Sequence, residues 1–134
     1  MSSENLHEDP TKLSPLTIDK HRAIVSLMEE LEAVDWYNQR QEATADPELK
    51  QILIHNRDEE KEHAMMVLEW IRRHDDVFAE MIGTYINSKG NIIQVEKTAA
   101  AEEQGGGAND DTLPTASIFK PTEMFPSVAA SGKG

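Results

Sequence analysis

The chain has 134 residues, 25 Asp and Glu against 13 Lys and Arg, a formal net charge of -12 and no cysteine. That charge repels nucleic acid and anionic membranes, and the missing thiols exclude disulfides, thiolate zinc sites and iron-sulfur clusters. Cations are the natural guests, and carboxylate and imidazole are left as the ligands to hold them. The length suits one domain, no apolar run approaches the roughly 20 residues of a membrane span, and the polar start Met1–Pro10 has no signal-peptide pattern, so a soluble cytoplasmic protein is expected.

Residues 1–13 are polar and without periodicity, and read as a flexible arm. Ser14-Pro15 has the cap-then-proline form of a helix start, and apolar residues from Ile18 onward recur at helical spacing, which predicts a first helix over about Pro15 to Ala43. One face of it carries the ladder Ala23, Leu27, Glu30, Val34, Tyr37. Glu30 therefore sits between apolar neighbours, a placement that is costly for a carboxylate unless its charge has a partner. The neighbouring ladder Val25, Glu29, Glu32, Trp36 puts two more carboxylates beside it.

Asp46-Pro47 repeats the start signal after a break at Thr44-Ala45, and predicts a second helix from Pro47 to about Arg73. Its ladder Leu49, Leu53, Asn56, Glu60, His63, Val67, Trp70 contains a Glu-x-x-His pair. Glu60 and His63 are separated by about 60° of rotation and roughly 4.5 Å of rise, so both can reach one metal ion. With Ala45 as the turn, Glu30 and Glu60 lie equally far from it along the two arms and stand at about the same height in an antiparallel hairpin. Trp36, Trp70, Met65 and Met66 read as core or interface packing, and His21, His55 and His74 as surface or supporting groups without a partner pattern.

A third, shorter helix is expected around Val77, Phe78, Met81, Ile82 and Tyr85, ended by Asn87-Ser88-Lys89-Gly90. Asn91 to Val95 reads as a brief extended segment. Residues 96–111, with Gly105-Gly106-Gly107, read as a flexible linker, and 112–134, with scattered apolar residues between Pro114, Pro121 and Pro126, as a tail able to dock as a peptide. The packed unit is then 14–95, an all-α hairpin.

Di-iron carboxylate bundles take a Glu from each of two helices and a Glu-x-x-His from each of two more. This chain offers one of each, too few for a two-metal centre, and a twofold dimer would supply four carboxylates and two histidines in a completed four-helix bundle. Tyr37, about two turns beyond Glu30, is expected near the site, and Asn56 to orient a ligand. Iron, zinc, cobalt or manganese would all accept such ligands. An isolated Glu-x-x-His on a charged helix is most often a solvated surface pair; the apolar flanks and the matching height of Glu30 favour a metal site.

The blocks from Met28 to Tyr37 and from His55 to Ala64, followed by Leu68-Glu69-Trp70, closely resemble the encapsulated ferritins over about His21 to Ile86. The resemblance implies a half-ferritin whose ferroxidase centre forms between two subunits, assembled as a ring of dimers, typically a decamer, that passes its mineral to an encapsulin shell in the cytoplasm. It implies Glu30, Glu60 and His63 as di-iron ligands with Tyr37 adjoining, Fe(II) and O₂ as substrates, and Glu29 and Glu32, near Trp36, as a site through which metal enters. Family members end in a short shell-binding peptide, of which Leu113-Pro114-Thr115-Ala116-Ser117-Ile118 is a loose echo. The rival readings are a rubrerythrin-like peroxide-consuming protein, opposed by the absence of cysteine, and a non-catalytic metal-binding or assembly module.

Overall fold

A computed structural model of the chain describes residues 5–105. Among these there is no strand. A single 3-10 turn over Pro10–Lys12 stands inside the segment read as an unstructured arm, because the Asp9 carboxylate takes both the N–H and the hydroxyl of Thr11, at 2.9 and 2.7 Å. Four α-helices follow: α1 (Pro15–Ala43), α2 (Pro47–His74), α3 (Asp76–Tyr85) and α4 (Ile92–Gly105).

Each helix start is set by side-chain capping. Ser14 Oγ accepts the Thr17 N–H at 3.1 Å and Asp46 accepts the Leu49 N–H at 2.8 Å, each with proline in the first turn, where a missing N–H costs nothing. The connection between α1 and α2 is only Thr44 to Asp46, pinned by the Asp46 N–H donating to Thr44 Oγ1 at 3.2 Å. Two long helices with so short a link must lie antiparallel and adjacent. Asp75 ends α2 and caps α3 at once, accepting the Phe78 N–H at 2.9 Å. The basic close of α2, Arg72-Arg73-His74, complements the partial negative charge of a helix C-terminus.

The segment after α3 corrects the sequence reading. Asn91 to Val95 is not extended, and the chain stays helical through Gly105. The run Ile92-Ile93-Gln94-Val95 has strand-like composition, but the Asn91 side chain accepts the N–H groups of Ile93 and Gln94, at 3.0 and 3.2 Å, and so starts a helix. Ala99 to Gln104, strong helix formers, then propagate it. Asn87 (φ 63°) and Gly90 (φ 84°) supply the left-handed backbone that turns the chain between α3 and α4. The rest of the expected linker, 106–111, and the docking tail, 112–134, lie outside the described residues.

The hairpin has little interior of its own. Ala64 and Ile71 of α2 are the buried apolar side chains among the described residues, at 0% and 2% exposure. The sequence ladder on α2 ran along one flank of this seam rather than its centre. Met28, Leu31, Trp36, Ile52, Met65, Met66 and Val77 are all exposed, so Met65 and Met66 are not core within one chain.

Candidate metal centre

Glu30 projects from the middle of α1, and Glu60 and His63 from successive turns of α2. Their donor atoms lie within 4.8 Å of one another. His63 Nδ1 stands 3.2 Å from Glu60 Oε2 and 3.7 Å from Glu30 Oε2. The two carboxylates are mostly covered, at 26% and 24% side-chain exposure, while the imidazole is half open at 50%. The cluster is thus rooted in the seam and opens on one flank of the hairpin.

Its electrostatics are those of a site short of positive charge. A hydrogen bond with Glu60 raises the Glu30 carboxyl above its ordinary value, with burial and the Glu60 charge acting the same way. The same hydrogen bond holds Glu60 low, and His63 lowers it further. Of these two neighbouring carboxyl groups, Glu30 therefore takes up a proton before Glu60 does as pH falls. His63 is raised, chiefly by its hydrogen bond to Glu60. A divalent metal would supply the positive charge the site lacks and would compete with protons for the same atoms.

The donor set is hard oxygen plus imidazole, and it suits Fe(II), Mn(II), Co(II) or Zn(II). One chain supplies three side chains on one flank, too few to enclose two metal ions.

Glu29 and Glu32 stand outside the group of converging donor atoms. The contact recorded for Tyr37 is the Arg40 guanidinium, 5.7 Å from its ring centre. Glu29 and Glu32 are exposed, as is Trp36, and Glu29 reaches the cluster only through its charge, which raises Glu30 slightly. Asn56 is half-buried. Two histidines read as lacking partners have them: His55 Nε2 lies 3.1 Å from Glu59 Oε1, and His74 stacks on Trp70 at 4.0 Å while its Nδ1 donates to the Trp70 carbonyl at 2.7 Å. Sequence reasoning missed two polar contacts that cross the hairpin away from the triad, Lys20 Nζ to Asp75 Oδ2 at 3.1 Å and Arg57 Nη1 to Asn38 Oδ1 at 3.0 Å. Ordinary surface residue types form them, and only the register of the two helices reveals the pairs.

Comparison with known proteins decides the family. The EncFtn-like family model matches residues 5–89. The chain belongs to the EncFtn-like family. It is 56% identical to an encapsulated ferritin-like protein of Rhodospirillum rubrum over 79% of this chain and 76% of that one. It is 42% identical to a ferritin-like protein of Thermotoga maritima, over 78% of this chain and 93% of the relative. The crystal structure of protein ne0167 from Nitrosomonas europaea, 57% identical, superposes with a TM-score of 0.64 and covers 66% of this chain and 97% of its own. Membership gives this EncFtn-like chain an iron-related, ferritin-like role, and its triad is compatible with iron. All of α4 lies beyond the residues that the family model matches. Among the described residues no helix is long and apolar enough to cross a membrane.

Proposed function

We propose that the protein is a ferroxidase, oxidising Fe(II) to Fe(III) with O₂ at a di-iron site shared by two subunits. The observation that carries this is the convergence of Glu30, Glu60 and His63 within 4.8 Å on an open flank of a hairpin that has almost no interior. A twofold partner would double the donor set and cover that flank, completing a four-helix bundle. At about 25 cal/mol per Å² the apolar side chains left open in one chain are the driving force for that association.

Fe(II) is the substrate. Each of two irons gives up one electron, and dioxygen takes the two electrons with two protons to leave as hydrogen peroxide. Glu30 and Glu60 bring negative charge that favours the ferric product, and any proton on them leaves as iron arrives. His63 gives up its proton to the same end and binds through a ring nitrogen. The half-buried setting of the carboxylates keeps them aimed while the open flank admits iron and O₂. Glu29 and Glu32, exposed beside Trp36, would collect Fe(II) on the approach, and Tyr37 would stand next to the reacting pair. An exposed apolar stripe on α1, Ile24, Met28 and Leu31, fits an assembly beyond the dimer, such as a ring-shaped decamer. The name of the R. rubrum relative supports an encapsulin shell as partner, with residues 112–134 as the docking segment and the compartment as the place of action.

Anaerobic titration with Fe(II) followed by native mass spectrometry tests the shared site. The reading requires a pair of iron ions per dimer and none on monomers. Iron held by monomers without a change in mass distribution contradicts it.

A further inference from the structure

Two polar contacts that cross the hairpin away from the triad, Lys20–Asp75 and Asn38–Arg57, are matched. Lys20 and Asn38 are eighteen residues apart on α1, and their partners Asp75 and Arg57 are eighteen apart along α2 and its C-terminal cap. Eighteen residues make five full helical turns, so Lys20 and Asn38 lie on a single line of α1, while Arg57 lies on α2 and Asp75 on the extended cap that ends it. Glu30 lies between Lys20 and Asn38, and Glu60 and His63 lie between Arg57 and Asp75. By helical rotation Glu30 sits about 80° away from that line, and Glu60 and His63 about 60° and about 120° away from Arg57, on the other flank of the same seam.

The short link from Thr44 to Asp46 bars a slip of a whole turn, about 5.4 Å. It does not bar rotation of each helix about its own axis. A carboxylate held roughly 5–6 Å from the axis moves about 2 Å when its helix turns by 20°. That is several times the roughly 0.5 Å within which a metal site must be held. The apolar seam resists such rotation weakly, since many of its side chains stay partly exposed. Directional polar bonds resist it better, because a bond near 3 Å weakens steeply as its geometry opens. The Arg57 side chain is only 19% exposed, and Lys20 and Asp75 are 30% and 27% exposed, so three of the four side chains lie against the hairpin, while Asn38 is exposed. Arginine has donors only, which fixes the Asn38 amide with its oxygen toward Arg57.

We propose that Lys20–Asp75 and Asn38–Arg57 are a matched pair of positioning contacts that set the rotation of α1 against α2, and through it the spacing of Glu30, Glu60 and His63. The inference rests on the metal reading above for its consequence, not for its geometry.

The experiment uses the full chain and Co(II), whose visible spectrum reports coordination geometry. Asn38→Ala and Lys20→Met each remove one contact, and Lys20→Met leaves the Asp75 cap on Phe78 in place. Asn38→Arg combined with Arg57→Asn restores a cross-hairpin bond with the charge unchanged. Each single variant is expected to lose Co(II) affinity on the order of tenfold and to alter the spectrum, with a melting temperature near that of the wild type. The exchanged pair is expected to recover most of both. Single variants that bind within twofold of the wild type, or an exchanged pair no better than Asn38→Ala, overturn the proposal. A fall in melting temperature with the spectrum unchanged also overturns it, since that is the mark of a merely stabilising contact. If the wild type takes up no Co(II), the metal reading fails by itself. The positioning contacts are then judged by spin labels on Leu31→Cys and Lys61→Cys, unique in a chain without cysteine. An unchanged label distance in Asn38→Ala overturns them, and a shifted one upholds them.

Discussion

Glu30 and His63, thirty-three residues apart in sequence, meet with His63 Nδ1 3.7 Å from Glu30 Oε2. Nothing local brings them together. The meeting depends on two helices started at fixed points by Ser14 and Asp46 and joined by a short link. It makes each member of the triad dependent on the other helix, and that dependence can be measured.

Replacing either side of the meeting should remove metal without unfolding the hairpin, since neither side chain is part of the buried Ala64 and Ile71 seam. Glu30→Gln keeps the volume and hydrogen-bonding capacity but not the charge. Its affinity for Co(II) should fall on the order of 100-fold while helical content by circular dichroism is unchanged. Affinity within a few-fold of the wild type would mean that Glu30 is no ligand.

Metal uptake should weaken on acidification. The hydrogen bond to Glu60 holds His63 above the usual imidazole range, and the hydrogen bond with Glu60 also holds Glu30 up. Both keep their protons further toward neutrality, so metal must displace them and apparent affinity falls as pH drops through the raised His63 value. Stability of the metal-free chain runs the other way for His63: its contribution is complete below the unfolded value and lost as pH rises through the folded one. Calorimetric titrations between about pH 5.5 and 7.5 should show proton release that grows toward the acid end. Release that does not vary with pH would contradict the account.

Much of this arrangement was legible in the sequence, and the reasons are specific. Ser14-Pro15 and Asp46-Pro47 mark helix starts because capping is a local event, so the bounds of α1 and α2 and the height of Glu30 against Glu60 could be counted. Asn91 capped α4 by the same mechanism but was overlooked, since Ile92, Ile93 and Val95 resemble a strand. The cross-hairpin contacts of Lys20 and Arg57 were hidden for another reason. Lysine and arginine on a helix are ordinary, and their partners become visible only when the rotation of both helices is known.

Asp46→Ala should cost about 1 kcal/mol, because the Leu49 N–H loses its acceptor at the start of α2. In a small helical domain that is a fall of several degrees in melting temperature. Asp46→Ser should recover most of it. Equal melting temperatures for Asp46→Ala and the wild type would show that the start of α2 is held by other contacts.

The acid limb of stability should carry a signature of Glu69. Hydrogen bonds from Arg72 and then Arg73 push its carboxyl down to about 2. A depressed carboxylate stabilises the fold above its unfolded value and loses that contribution as pH falls through the folded one, here from about 4.5 to about 2. The group is well solvated, so the effect is modest. Glu69→Gln should flatten the melting-temperature profile in that window and leave metal affinity alone. A profile that overlays the wild type there would remove Glu69 from the account.

Aerobic oxidation of Fe(II), followed by absorbance for the wild type beside Glu30→Ala and His63→Ala with the oligomeric state recorded in the same samples, tests the central claim most directly. The account predicts oxidation well above the buffer rate for the wild type and a fall to that rate in both variants while they still assemble. If all three match the buffer, or if both variants oxidise iron as fast as the wild type, the triad is not a ferroxidase centre.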